Sequence, residues 1–295
     1  MRILLTGSKG MLGSDCRSVL ESEYEVVALD RKDLDITLWD KVVEKLNHIS
    51  PQVVVNCAAF TDVDACEDHP VAVRKANVEG PRNLAQAAAR FNCKMIHIST
   101  DYVFGGQKSI PQPYFEDDAM DPISVYGRSK MESEMAVRDN AFNYVIVRTG
   151  WLYGVHGKNF ITSLLSKALN KKRKSLKMVD DQFGSPTWTY RLALQIRELI
   201  RADVRGTYHA TSEGYCSRFE YAKRVLRKLR IPLPLERISI EGLKTPARRP
   251  ANCILENRLL KKQGLHIMPD WKEDLDLFLQ QHGEELISGA KSRAH

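Results

Sequence analysis

No run of about 18 apolar residues occurs in the 295-residue chain, so neither a membrane-spanning helix nor a membrane partner is expected. The opening Met1-Arg2-Ile3-Leu4-Leu5-Thr6-Gly7 passes directly from strand formers to a glycine turn. It holds no apolar leader or small-residue cleavage site, so a cytoplasmic location is expected. The six cysteines, Cys16, Cys57, Cys66, Cys93, Cys216 and Cys253, form no C-x-x-C pair and no zinc spacing. Set mostly in apolar surroundings, they fit free thiols in a reducing compartment best. No internal repeat is found. The net charge of +7 and pI near 9.0 suit an anionic partner. The densest basic run, Lys171-Lys172-Arg173-Lys174, lacks interleaved aromatics and any nucleic-acid motif. It is read as a solvated helix end or loop, and no nucleic-acid partner is expected.

What is present is the pattern of an α/β protein. Length and composition (43% hydrophobic, 27% charged) allow one large α/β domain or two unequal ones. Ile3-Leu4-Leu5 reads as a short strand, followed by Gly7-Ser8-Lys9-Gly10-Met11-Leu12-Gly13 and a helical run. Glycines at this spacing, between a strand and a helix, permit a tight turn, close backbone approach to a pyrophosphate and close packing of helix on strand. The helix amino terminus then offers free N–H groups to the phosphates. A second strand, 25–29, ends at Asp30, where a dinucleotide fold places an acid against the adenosine ribose. Arg31 and Lys32 follow and suit a 2'-phosphate instead. We take the cofactor as NADPH, with NADH also accepted.

Thr37 and Asp40 suggest a capping box for the next helix. Val53-Val54-Val55 has the continuous apolar character of a buried parallel strand. It delivers Asn56, Cys57, Ala58, Ala59 and Thr61 to the carboxyl edge of the sheet, where small residues let the backbone lie against a cofactor. Asp62, Asp64, Glu67 and Asp68 are assigned to the electrostatics of a helix starting near Pro70 rather than to a metal. One long helix is expected over 71–91 and a strand over 94–98, with His97 as a packed core residue. That strand ends in Ser99-Thr100-Asp101-Tyr102, whose hydroxyls can donate to a carbonyl held above the sheet. Segment 105–121 is expected to be a flexible rim.

Ser124 is a candidate cap for a helix over 125–138, on which Tyr126 and Lys130 share a face. A phenol can donate a proton at neutral pH, and a neighbouring ammonium stabilises the phenolate left behind. Alone, Tyr-x-x-x-Lys is expected roughly once by chance in such a chain. Beyond Trp151 the pattern loosens. Helices are expected over 160–169, 189–201, 218–229 and 271–286. A strand is expected over 176–179, joined with the 189–202 helix to the main sheet, while 181–187 is too rich in turn formers for a regular element. The predicted organisation is a doubly wound parallel sheet of Rossmann type over 1–150, a smaller α/β substrate domain over 151–288 and a flexible tail over 289–295.

The motifs T-G-x-x-G-x-x-G (Thr6 to Gly13), N-x-A-A-x-T-x-V-D (Asn56 to Asp64), S-T-D-Y-V-F (Ser99 to Phe104), Y-x-x-x-K (Tyr126 to Lys130), R-T-x-W-x-Y (Arg148 to Tyr153), D-Q-x-G-x-P-T (Asp181 to Thr187) and R-R-P (Arg248 to Pro250) occur in this order. In them the chain resembles the extended short-chain dehydrogenase/reductases and, among these, the dTDP-4-dehydrorhamnose reductase family. The resemblance implies hydride transfer from NADPH to the C4 keto group of dTDP-4-dehydro-β-L-rhamnose, giving dTDP-L-rhamnose for surface polysaccharide. Thr100 and Tyr126 would bind the carbonyl, and Lys130 would hold the nicotinamide ribose. Asp35, Ile36, Asn77 and Ser99 would join the cofactor site. Asp101, Tyr102 and Trp151 would line the sugar pocket, with Gln182, Thr187, Arg248 and Arg249 on the nucleotide side. Some members bridge two subunits through magnesium. Asp15 could serve there, but Tyr190 stands where an acid would be needed, so no metal is expected and the state is monomer or homodimer. Rivals are another nucleotide-sugar 4-keto reductase or epimerase of this fold and a non-enzymatic NADP-binding regulatory subunit. A dehydratase fits less well, because Asp101 is followed by Tyr102 rather than by an acid.

Overall fold

β1 (Arg2–Thr6) runs between β2 (Glu25–Leu29) and β3 (Val53–Asn56), followed outward by β4 (Lys94–Thr100), β5 (Tyr144–Thr149) and the strand Gly206–His209, all parallel. The computed structural model describes residues 1–170, 172–242 and 244–292. Alternate residues of each strand serve opposite faces. Ile3, Leu5, Val53, Val55, Val145 and Val147 pack against α1 (Met11–Leu20) and the helix Thr189–Arg201. Leu4, Val54, Met95 and Ile146 pack against α2 (Trp39–Ile49) and the helix Gly80–Arg90. With both faces covered, the strands read as unbroken apolar runs. The chain leaves β1 toward β2 and returns on the other side as β3, and this reversal opens a crevice at the carboxyl ends of the strands.

A second core lies in the later half of the chain. Trp151, Tyr153, Ile161 and Leu165 pack there with Tyr221, Val225, Trp271 and Phe278, gathering the helices Phe160–Ala168, Arg218–Lys228 and Trp271–Ser292.

Several expectations need correction. The 71–91 helix is broken in character: a helix at Pro70–Arg74 passes through a π-helical turn, Lys75–Glu79, into Gly80–Arg90, and a short helix, Val63–Asp68, precedes it. Thr37 caps nothing, because its hydroxyl donates to Asp35 Oδ1 and Leu38 occupies the cap of α2. The strand Leu176–Val179 pairs with Leu235–Ile238 rather than with the main sheet, whose sixth strand is Gly206–His209. Segment 181–187 contains two short strands, Phe183–Gly184 and Thr187–Trp188. The rim at 105–121 is fastened: Tyr114 stacks on Phe104 at 4.3 Å and bridges to Leu255, and Glu116 is buried. The last helix continues to Ser292, through positions expected to be a flexible tail, and 293–295 lie outside the described residues. Lys172, Arg173 and Lys174 are exposed between elements, as expected, while Lys171 lies outside the described residues.

Candidate active site

The glycine segment joins β1 to α1 with almost no free space. Gly7 has φ +69°, and a Cβ there would lie 2.6 Å from the backbone nitrogen of Ala58. A Cβ on Gly13 would lie 2.1 Å from the carbonyl oxygen of Gly7. The close backbone contact with Ala58, the free N–H groups at the start of α1 and the adjoining cavities make a cradle that fits a dinucleotide. Gly10, Met11, Leu12, Gly13, Cys57, Ala58, Ala59, Thr61 and Ser99 line the main cavity. Gly7, Arg31, Asp35 and Ile36 line a neighbouring one, continuous with it through Gly10, Cys57, Ala58 and Ala59. Three expected cofactor residues stand behind these walls. Ser8 is buried, its N–H donating to Leu29 O. Asp30 pairs with Lys9, and its Oδ1 accepts from the N–H groups of Lys32 and Asp33, so its carboxylate is held at about 2 by these bonds, that to Lys9 foremost. Asn77, in the π-helical turn, clamps both backbone groups of Phe60 and donates to Ser129 Oγ at 2.9 Å. It thereby ties the β3 loop to the helix that carries Tyr126 and Lys130.

That helix, α3 (Val125–Asn140), is capped by Ser124, whose Oγ accepts from the Gly127 N–H at 3.1 Å. Its buried stripe contains Lys130, Ser133, Glu134 and Val137. Glu134 fastens it to the sheet. Arg148 on β5 donates to both Glu134 oxygens, at 2.9 and 2.8 Å, and Ser99 on β4 donates to Oε1 at 2.6 Å. One and two turns up the same helix, this anchoring aims Lys130 and Tyr126 into the main cavity.

Around them, Lys130 Nζ donates to Ile98 O at 2.7 Å and lies 3.3 Å from His97 Nε2. The tautomer of His97 follows from its neighbours. Thr6 Oγ1 and the Ala58 N–H both donate to Asn56 Oδ1, which leaves Asn56 Nδ2 to donate to His97 Nδ1, so Nε2 carries the imidazole proton and gives it to Ser133. His97 is thus a packed core residue, as expected, and a neutral one. Burial pushes Lys130 down to about 8 and raises the Tyr126 phenol above its usual range. At neutral pH the site holds a protonated phenol beside an ammonium.

Thr100, Asp101, Tyr102 and Trp151 line the cavity with them. Thr100 Oγ1 donates to Asp101 Oδ1 at 2.8 Å, while Asp101 Oδ2 is buried without a partner, and burial lifts this carboxyl to about 6. Trp151 holds a left-handed backbone, φ +50°, and an unpartnered buried Nε1. Strain and an unmet donor at a cavity wall are features of ligand-binding positions. Gln182, Thr187, Arg248 and Arg249 do not reach the wall. Gln182 Nε2 donates to Pro250 O; Thr187 Oγ1 donates to Ser185 O and accepts from the Ser212 N–H. Arg249 pairs with Asp64, and Arg248 is exposed. Sequence reasoning missed Lys158 and Arg218, which do line the cavity and belong to no motif. Asp15 and Tyr190 face a separate cavity with His156 and His282. Among the described residues no group of three or more His, Cys, Asp or Glu could hold a metal ion.

A glycine cradle at the reversal of a doubly wound sheet, with Thr100, Tyr126 and Lys130 converging beside it, defines the extended short-chain dehydrogenase/reductase class. Within it, the model of the RmlD substrate binding domain matches residues 1–283, and the chain belongs to that family. It is 37% identical to the spore coat polysaccharide biosynthesis protein SpsK of Bacillus subtilis, over 95% of this chain and 97% of that one. A crystal structure of a dTDP-4-dehydrorhamnose reductase from Clostridium acetobutylicum superposes with TM-score 0.92 at 38% identity, covering 95% of this chain and 99% of that one. A dTDP-4-dehydrorhamnose reductase from Bacillus anthracis, solved in complex with NADP, superposes with TM-score 0.90 at 36% identity over the same shares.

Proposed function

We propose that the protein reduces the C4 keto group of dTDP-4-dehydro-β-L-rhamnose with NADPH, giving dTDP-L-rhamnose. The observation that carries this reading is the convergence of Tyr126, Lys130 and Thr100 on a cavity that the glycine cradle also lines. When bound, the nicotinamide supplies the hydride. Tyr126 gives its phenolic proton to the carbonyl oxygen as negative charge develops there. Lys130, as an ammonium, lowers the energy of the resulting phenolate and holds the ribose beside it. Thr100 turns its hydroxyl from Asp101 to the carbonyl oxygen and fixes its direction, while Asp101, Tyr102 and Trp151 enclose the sugar. Support for NADPH comes from the adenosine end: Asp30 is spent on Lys9 and its own turn, whereas Arg31 is highly exposed, pairs with Asp35 only at 3.8 Å and lines the cavity from which a 2'-phosphate can be reached. Arg31→Ala is expected to lower the preference for NADPH over NADH roughly tenfold, about one exposed charged contact.

The test is NADPH oxidation by the purified protein, supplied with dTDP-4-dehydrorhamnose formed in situ. Wild type should oxidise NADPH, and Tyr126→Phe should lose on the order of 10²–10⁴ in kcat while still binding NADPH. Tight NADPH binding without oxidation by wild type would overturn the assigned substrate. Product formation with no net oxidation would mark an epimerase.

A further inference from the structure

Three cations line the main cavity: Lys130, Lys158 and Arg218. Lys130 is spent on the nicotinamide side. Lys158 is exposed on a loop whose next residue, Asn159, donates to Met11 Sδ at 3.7 Å and whose Gly157 approaches Met11, so it stands over the cofactor cradle. Arg218 is placed differently. It opens the helix Arg218–Lys228 after Ser217, and Ser217 and Glu220 cap that helix end reciprocally. Its guanidinium carbon sits 3.4 Å from the centroid of the Trp151 ring, and its Nε donates to Gln182 Oε1 at 3.4 Å. Gln182 is itself fixed by Pro250. The side chain is half-buried and, among the described residues, makes no ion pair. An arginine stacked, aimed and partly dehydrated, with its terminal nitrogens uncommitted, is prearranged for a bidentate anion.

We propose that Arg218, rather than Arg248 or Arg249, binds the diphosphate of the substrate. The inference rests on the sugar-nucleotide reading above. The sugar would lie between Tyr126 and Trp151, and the diphosphate, one bond from the ring, would emerge past Trp151 onto the guanidinium. Gln182 then acts as the residue that positions Arg218, which gives it a role without a place in the wall. The negative charge arriving on Arg218 replaces the solvent it keeps in the free protein.

The experiment is calorimetric titration of the NADP-loaded protein with dTDP and with thymidine. Wild type should bind dTDP more tightly than thymidine. In Arg218→Met the dTDP affinity should fall at least tenfold, with thymidine little affected, while Arg218→Lys should recover part of the loss and NADPH affinity and Tm should stay at the wild-type values. Equal dTDP binding by Arg218→Met and wild type overturns the proposal. If Arg218→Met does not fold, Arg218→Gln carries the same comparison. Should wild type bind no dTDP but reduce another keto substrate, the sugar-nucleotide reading fails, and this inference with it. Should wild type reduce the dTDP-sugar while Arg218→Met retains its KM, only the inference fails.

Discussion

Asp101 is held in a place that disfavours its ionised form. Its carboxyl is lifted by burial to about 6, with the bond from Thr100 and the charge of Arg218 only partly offsetting the loss of water. Because the folded value lies above the unfolded one, the folded state binds the proton more tightly between about pH 4 and 6, and stability falls as pH rises through that window. The ionised carboxylate costs roughly 3 kcal/mol at most. Asp101→Asn is therefore expected to be more stable than wild type at pH 7.5, by about 1–3 kcal/mol in urea denaturation, with the difference gone at pH 4. Equal stability at pH 7.5 would contradict it. Lys130 shifts the other way: burial takes it down to about 8, so between pH 8 and its unfolded value near 10.5 stability rises with pH. At this scale the sequence was informative wherever local spacing sets a role. Tyr126 and Lys130 share a face because a helix repeats every 3.6 residues, and Thr100 ends a strand at the ligand edge. Arg218 was illegible, because nothing near Ser217 in the chain tells that Trp151 folds over it. Gln182 and Thr187 were named from a motif string, and in the structure both are engaged in internal hydrogen bonds away from the cavity wall.

The helix carrying Tyr126 and Lys130 owes its rotation to one buried ion pair, Arg148 with Glu134. Removing only Arg148 would leave Glu134 charged and buried beside Ser99, with Arg138 as its remaining cation. Arg148→Met is expected to cost about 3–5 kcal/mol, read by urea denaturation, whereas Arg148→Met with Glu134→Gln should recover part of that. No recovery in the double variant would show that the charge left behind is not the cause. Gly13→Ala tests the cradle. The added carbon would drive into the Gly7 carbonyl, so NADPH affinity should drop at least tenfold in a fluorescence titration, with a smaller loss in Tm. Elements with a strong signal of their own, such as the unbroken apolar run of β3 and the 3.6-residue pattern of the Thr189–Arg201 helix, were visible in advance. The π-helical turn was not, since it exists to let Asn77 reach Phe60 and Ser129, partners far away in sequence. Nor was Gly206–His209, four residues without an apolar run that become a strand only because β5 offers them an edge.

Across the whole molecule, the cavity has walls from both cores: the sheet side contributes the cradle and the helix carrying Tyr126 and Lys130, and the second core contributes Trp151 and the helix that Arg218 opens. Saturating NADPH, at about 100 times its Kd, should stabilise the protein by about 2.7 kcal/mol through mass action alone, raising Tm in a thermal shift assay. An unmoved Tm would exclude the cradle as a cofactor site. The sheet also has an order of assembly. Its outer strand and one of its covering helices come from the stretch after Thr149, so a ribosome that has released β5 has delivered a sheet with a bare edge and an apolar face only half covered by α1. At ordinary elongation speeds the missing pieces, roughly 60 residues downstream, follow only seconds later. Over that interval the nascent chain presents an open template for pairing with its neighbours on the same message, and a protein cut at residue 150 would stay in that condition permanently.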